Sequence, residues 1–534
     1  MSPLEQFRRP SEPVDHQQPV SMQSSQPGNE RHERWFRTDL LQPHLKSKSI
    51  RGGAFMLLAT IANLVLTLAS TSVLARILAP ADFGLLGMVF ALTVIAEQFK
   101  DIGLGRATVQ KRILTHSEVS NLFWLNFAFG VGICITISLL SGVIAKFYHE
   151  QRLTHVAMLL SVTFAFGGLV IQHQALLNRQ MKFFATATVS TVSLAVSNLL
   201  AIILALKGFG YWSLVAREIA RSMLVAIGIL IACPWVPRLP DLERGVWPQI
   251  RFGRDITIFN IVVYLTGNLD QILLGRFGGA GVLGVYRQAF QLVTLPINQL
   301  ISPITSVLEP LFSALQDDPA KYRRGFQKAV STLSLITMPL AAGIFICSKE
   351  LVALLLGQRW AGAVDVVKIL AVAMFIKPAF SAVGFVMVTC GKTGRYVAAG
   401  VLDSIALVAA VSVGVMWGAR GVALGHVVAT YIVFLPIVWW TLKDTPVGSR
   451  IWLKGIARPA VCSLFMVIVL YLLSSIIPFH NNFAVLSSYA SAGVVCYLAA
   501  MLAIPGGKCV LQELRGDIQS AIAAKRKLRE TAPQ

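Results

Sequence analysis

Fourteen apolar stretches, most of them about 20 residues long, dominate this chain, and that is the length an α-helix needs to cross the hydrocarbon core of a bilayer. They fall near residues 52–75, 81–99, 121–145, 155–177, 185–206, 210–232, 256–275, 281–306, 329–348, 364–389, 396–417, 421–441, 456–477 and 483–504. Lipid offers no hydrogen bonds to the backbone, so such stretches satisfy their own amides as helices. The second is weak because Glu97, Lys100 and Asp101 crowd its end, and the tenth is overlong and reads as beginning with an interfacial turn. Composition agrees: only 14% of residues are charged and 55% are hydrophobic, where a soluble domain runs near ~25% charged. The expected fold class is an all-α integral membrane protein with about 14 transmembrane helices.

The formal charge is +21. Nucleic-acid binding is not the reading, because the basic residues fall between apolar runs and form no basic-aromatic patch. They follow topology instead, since cytoplasmic loops collect Lys and Arg. With the N-terminus in the cytoplasm, the cytoplasmic interhelical loops hold 19 Lys and Arg and the outer loops 8, and the C-terminal tail adds six. The expectation is N-in and C-in. Residues 1–50 are polar, rich in Gln, Ser and Pro, and read as a disordered cytoplasmic tail without the apolar core of a signal peptide. Seven scattered cysteines without a C-x-x-C pair suggest neither a disulfide framework nor a zinc site.

A division into halves follows from the loop "CPWVPRLPDLERGVWPQIRFGRD" (233–255), whose four prolines mark a central cytoplasmic linker. "GLLGMVFAL" (84–92) follows Arg76 at the end of one run, and "GVLGVYRQA" (281–289) follows Arg276 at the end of another. The repeat and the linker together predict two six-helix bundles, 51–232 and 256–441, related by a pseudo-two-fold axis along the membrane normal. Two additional transmembrane helices (442–504) and a basic cytoplasmic tail (505–534) complete the chain.

Polar residues inside the runs carry the functional signal, because an intramembrane charge costs roughly 2.5–3.5 kcal/mol and normally faces a cavity or a partner. Arg287, Gln291, Thr294 and Asn298 share one face of the eighth run. They read as the lining of a hydrated path, with interhelical hydrogen bonding as the plainer alternative. Arg217 and Arg221 share a face of the sixth run, where Glu218 would neutralise one and leave the other as net positive charge. Lys377, beside Pro378 in the tenth run, has two open roles: bonding a carbonyl freed by a kink, or facing the same cavity. Asp270 lies nearly opposite Asn268 on a regular helical wheel. It is either a structural acid, bonded to a neighbouring helix or to Arg276, or a protonatable coupling group, and Glu218 and Asp403 are likewise candidates for a structural or a coupling acid.

No catalytic or metal constellation emerges. "CGKTGR" (390–395) lacks the glycine a phosphate loop needs at position 386, which is Val386, and no H-E-x-x-H or G-x-S-x-G is present. The short outer loops also argue against a membrane polymerase or ligase.

The stretch "LARILAPADFGLLGMVFALTVIAEQFKDIGLGRATVQKRILT" (74–115) makes the resemblance specific. It resembles the polysaccharide transporter (Wzx-like) family of the multidrug/oligosaccharidyl-lipid/polysaccharide exporter superfamily, in the branch of colanic-acid and succinoglycan-type exporters. Leu78, Pro80, Asp82, Phe83 and Gly84 meet one family pattern; Asp101, Gly103, Leu104, Ala107 and Gln110 meet a second. Asn268, Asp270, Leu274, Gly275, Gly284, Tyr286 and Ala289 meet a third. The likeness runs from about residue 50 to 445. It implies a flippase that carries undecaprenyl-diphosphate-linked oligosaccharides across the inner membrane by alternating access, for exopolysaccharide, lipopolysaccharide or capsule assembly. It also implies an inner-membrane polymerase and a chain-length regulator as pathway partners. No cofactor is expected beyond proton or sodium coupling. A cationic, amide-rich lumen suits that cargo, since arginine offers planar donors to phosphate oxygens. The competing readings are a drug/cation antiporter, a flippase for a peptidoglycan precursor, a membrane polymerase or ligase, and a structural part of an assembly complex.

Overall fold

The computed structural model describes Trp35, residues 45–100, Gly105, 108–109, Lys111, 114–240, 267–315, 318–476, 482–505 and Gly507. Among these residues every regular element is helical, and nine helices are long and apolar enough to cross a membrane. This is a multi-pass membrane protein.

The first half runs α1 (Leu45–Ile77), α2 (Pro80–Lys100), α3 (His116–Tyr148), α4 (Leu153–Arg179), α5 (Phe183–Leu206) and α6 (Tyr211–Ala232). After residue 267 a short helical stretch ends in a π-turn, Leu274–Gly278. The chain then reverses at Gly279, whose φ of 76° favours glycine, into the 36-residue α7 (Gly279–Ala314). The rest comprises α8 (Pro319–Ile346), α9 (Ser348–Leu355), α10 (Ala363–Ile376), α11 (Ser381–Thr389), α12 (Thr393–Gly414), α13 (Gly418–Val428), α14 (Phe434–Leu442), α15 (Ser449–Ile476) and α16 (Asn482–Ala503).

Local chemistry sets several of these ends. Thr115 and Glu118 form a reciprocal capping box at the start of α3, satisfying amides that no earlier turn can reach. Asp318 accepts from the backbone of Ala320 and Lys321, with Pro319 at the first helical position, so α8 starts ten residues before its apolar run. The tenth run is broken in mid-course rather than at its start. Lys377–Phe380 forms a 3₁₀ turn around Pro378, where the missing N–H interrupts the α ladder. The Trp452 indole, not Lys377, donates to a carbonyl in that turn, that of Ala379, at 3.1 Å.

Helix α1 begins at Leu45, before the apolar run, and Trp35 is buried with its ring under the Lys182 ammonium at 4.1 Å and its carbonyl accepting from Gln180. The beginning of the linker is also fastened: the Trp235 carbonyl lies 3.1 Å from His173 Nε2, and the Arg238 carbonyl accepts from the Trp124 indole. The positions Asp101, Gly103, Leu104, Ala107 and Gln110, most of the seventh run, the linker beyond residue 240 and nearly all of 505–534 lie outside the described residues.

The halves meet where α2 crosses α7. A methyl added to Gly84 would collide with the Ala280 carbonyl, and one added to Gly284 with the Pro80 carbonyl. Close approach of this kind is what small residues permit in a membrane, where packing replaces the hydrophobic drive. The contact is reciprocal, since Pro80 and Gly84 stand to Gly284 as Ala280 and Gly284 stand to Gly84.

Candidate functional site

Beneath that crossing lies a cavity of about 340 Å³. Its walls come from α1, α2, α5, α6 and α7, and its charged groups are Arg217, Glu218, Arg221 and Arg287. Helix α6 supplies the first three, and α7 supplies Arg287 together with Gln288 and Gln291. The two positively charged segments singled out in sequence, some 70 residues apart along the chain, therefore share one chamber.

Two of the basic side chains have a visible means of support. Arg217 donates through Nε and Nη2 to Glu218 Oε1 at 3.0 and 2.7 Å, and both side chains are about one-fifth exposed. The Arg287 guanidinium lies 4.9 Å from the Phe90 ring centroid, a geometry in which the ring's negative face stabilises a cation. Its stem fills the space beside Gly87, where a Cβ would meet Arg287 Cδ at 3.2 Å. The second glycine of "GLLG" thus makes room for the arginine, and the first permits the crossing.

The stripe on α7 is brought to the chamber only in part. Arg287 and Gln291 line it. Thr294 is buried and donates to the Phe290 carbonyl at 2.7 Å, and Asn298 is exposed. The cause is distance along the axis: eleven residues rise about 16 Å in an α-helix, half a bilayer, so one face passes beyond the chamber. Lys377 and Asp403 are half-buried and also lie outside the lining.

Sequence reading missed the hydroxyl wall. Thr67, Ser70 and Thr71 on α1 and Thr93 on α2 line the chamber, as does Asn198 on α5. The Asn198 amide nitrogen is buried without a hydrogen-bond partner among the described residues. A buried donor left unmade is costly, so this one is suited to an acceptor on a guest. The spacing 67, 70, 71 is a helical face and was a readable signal, though serine and threonine are common in membrane helices for ordinary packing reasons.

Beside the chamber, aromatic packing ties α2 to the segment that precedes α10. Phe83, in the chamber wall, meets Trp360 edge-on at 5.4 Å, and the Trp360 indole donates to the Ala75 carbonyl at 2.8 Å. Arg76 donates to the Leu354 carbonyl at 2.7 Å. The mirror element docks the other way: Tyr148 packs where Gly275 leaves space, and Arg276 lies 5.9 Å from the Phe147 ring.

Asp270 belongs to a different cluster. It is 3% exposed; its Oδ2 accepts from the Tyr286 hydroxyl at 2.5 Å and lies 3.1 Å from His426 Nε2, while its Oδ1 accepts from the Gln271 amide. Arg276 faces the two phenylalanine rings instead and is not its partner. His426 and Tyr286 are both buried, so three helical segments meet at one ionisable pair. Among the described residues no group of His, Cys, Asp and Glu is arranged to hold a metal ion.

Residues 73–365 match the family described as Polysaccharide biosynthesis protein. The chain belongs to that family. Similar relatives include the lipopolysaccharide biosynthesis protein WzxC of Escherichia coli, 26% identical over 81% of this chain and 89% of that one. The teichuronic acid biosynthesis protein TuaB of Bacillus subtilis is 27% identical over 85% and 95%, respectively. The succinoglycan biosynthesis transport protein ExoT of Rhizobium meliloti is 22% identical over 89% and 96%. Among solved structures, an inward closed conformation of the lipid II flippase MurJ matches with a TM-score of 0.68 at 15% identity, covering 83% of this chain and 97% of that one. At that identity the likeness concerns fold.

Proposed function

We propose that this protein is an inner-membrane flippase that moves lipid-linked oligosaccharide units, joined through a diphosphate, by alternating access. The observation that carries the reading is the chamber itself. Three arginines and a ring of hydroxyl and amide groups sit together in a protein of membrane-spanning helices. Arginine forks suit phosphate oxygens, and Thr67, Ser70, Thr71, Thr93, Asn198, Gln288 and Gln291 suit sugar hydroxyls. The named roles of the relatives in polysaccharide assembly, including a transport protein, support the same cargo class. A drug/cation antiporter is disfavoured because net positive charge in the chamber repels cationic drugs. A polymerase or ligase is disfavoured by the transporter fold and by the chamber's lack of a nucleophile–base arrangement.

The architecture we propose is fourteen transmembrane helices, N-in and C-in. Two six-helix bundles, 51–232 and 256–441, flank the linker and carry 442–504 as an addition. In that orientation the Trp360–Ala75 and Tyr148–Gly275 contacts close the outer side. Asp270 with His426 is the proposed coupling pair. Polymerase and chain-length regulator are the expected pathway partners.

The test is Arg287→Ala in cells that make the polymer. Complete lipid-linked repeat units should accumulate on the inner leaflet and polymer should disappear while the protein still inserts. Normal export by this variant refutes the chamber as the cargo path.

A further inference from the structure

Glu218 stands out because the proposed cargo is itself an anion. It is the one acidic residue among those lining the chamber, and it is bonded to Arg217 with Arg221 and Arg287 in electrostatic reach. An acid here weakens the very attraction the arginines provide, so its presence needs a reason.

The formal charge of the lining gives one. Three arginines against one glutamate leave two positive charges. A diphosphate diester, the linkage between a polyprenol and a sugar, carries two negative charges. Resting on the function proposed above, we infer that Glu218 is a charge-matching residue. It trims the chamber to the charge of a diphosphate diester, so that the loaded site is neutral. A loaded site with surplus charge is held against a low-dielectric surround, where an uncompensated ion is expensive. It would bind the cargo tightly and give it up slowly. Uniformly strong binding deepens the bound state without speeding passage, and Glu218 limits it.

The pairing geometry adds a division of labour. Glu218 Oε1 occupies both Nε and Nη2 of Arg217, while Arg287 rests on a ring and no carboxylate. Arg217 is the arginine whose charge is cancelled; Arg221 and Arg287 are the two that the diester meets. A double change that removes Arg217 and Glu218 together therefore keeps the net charge at its natural value, and that separates charge matching from a merely structural role.

The experiment uses purified full-length protein in detergent and a synthetic short-chain prenyl-diphosphate sugar, with binding followed by calorimetry and polymer export measured in cells. Glu218→Gln should bind the diester about tenfold more tightly, an order of magnitude set by one charge acting through a partly hydrated protein interior, and should export severalfold more slowly. Arg217→Gln combined with Glu218→Gln should return affinity toward the natural value and raise export above the Glu218→Gln single. Unchanged or weaker diester binding in Glu218→Gln, with binding lost in Arg287→Ala, overturns the inference and leaves the flippase reading intact. A double variant that exports no better than the single also overturns it. If Arg287→Ala binds the diester as the natural protein does, the flippase reading itself fails.

Discussion

Gly84→Ala tests the crossing of α2 and α7 as a moving seal. The added methyl would run into the Ala280 carbonyl, which is backbone and cannot rotate away. The helices must part by on the order of 1–2 Å to restore van der Waals separation near ~3.5 Å. Overpacking of this kind costs about 1–3 kcal/mol, and here it is levied on the arrangement in which the helices touch. If alternating access separates them, the outward-open form is spared. The equilibrium should then move toward it by roughly 5–150-fold. The assay introduces Ser70→Cys, a wall position of the chamber that is 6% exposed in this structure, and labels whole cells with a membrane-impermeant maleimide. Protein without that cysteine gives the baseline. Gly84→Ala should accelerate labelling from outside, and Gly284→Ala should do the same because its methyl meets the Pro80 carbonyl. Gly132→Ala and Gly142→Ala, where an added methyl meets open space, should change nothing. If Gly84→Ala lowers thermal stability without changing the labelling rate, the crossing is a static joint and the argument is wrong.

Other consequences are simpler to state. Trp360→Phe removes the indole donor to the Ala75 carbonyl, a loss of about 0.5–1.5 kcal/mol, so the same labelling should accelerate by a smaller factor; an unchanged rate would remove Trp360 from the seal. Asp270→Asn should leave binding of the prenyl-diphosphate sugar intact while abolishing any response of transport in proteoliposomes to an imposed pH gradient. A retained response would make the Asp270–His426 contact structural only. Gln291→Ala should reduce export and Asn298→Ala should not, because only the first lines the chamber; equal losses in a polymer assay would extend the cargo path along the whole face of α7.

What the sequence made legible follows from what each pattern measures. Apolar runs report contact with lipid directly, so helices such as α3, α4 and α5 coincide with their runs, apart from polar ends set by caps. Helical periodicity fixes an azimuth and not a height, so Arg287 and Gln291 were found together with Thr294 and Asn298, which share their face and miss the chamber. The hydroxyl wall was hidden because Thr67 and Ser70 also bond to carbonyls of their own helix, those of Asn63 and Thr67, and look self-sufficient from sequence. The partner of Asp270 was out of reach for a different reason. His426 lies 156 residues away, and neither a helical wheel nor a nearby Arg276 says anything about contacts at that separation.

The glycines of the two motifs meet in a different alignment from the one their letters suggest. Matching "GLLG" with "GVLG" sets Gly84 against Gly281 and Gly87 against Gly284. The structure instead sets Gly84 against Gly284 and Pro80 against Ala280, and it places Arg76 and Arg276 at the ends of the two preceding helical segments. The letters align by composition, whereas the crossing requires a small residue four positions after another on each helix, which Pro80–Gly84 and Ala280–Gly284 provide. That frees Gly87 for a purpose its counterpart does not share: it leaves the space that the Arg287 side chain fills. The departure from symmetry falls where the chamber needs a cation, and it follows that Gly87→Val, which leaves the crossing glycines untouched, should displace Arg287 and weaken binding of the prenyl-diphosphate sugar. Unchanged affinity in that variant would mean that Arg287 reaches its place without the gap in α2.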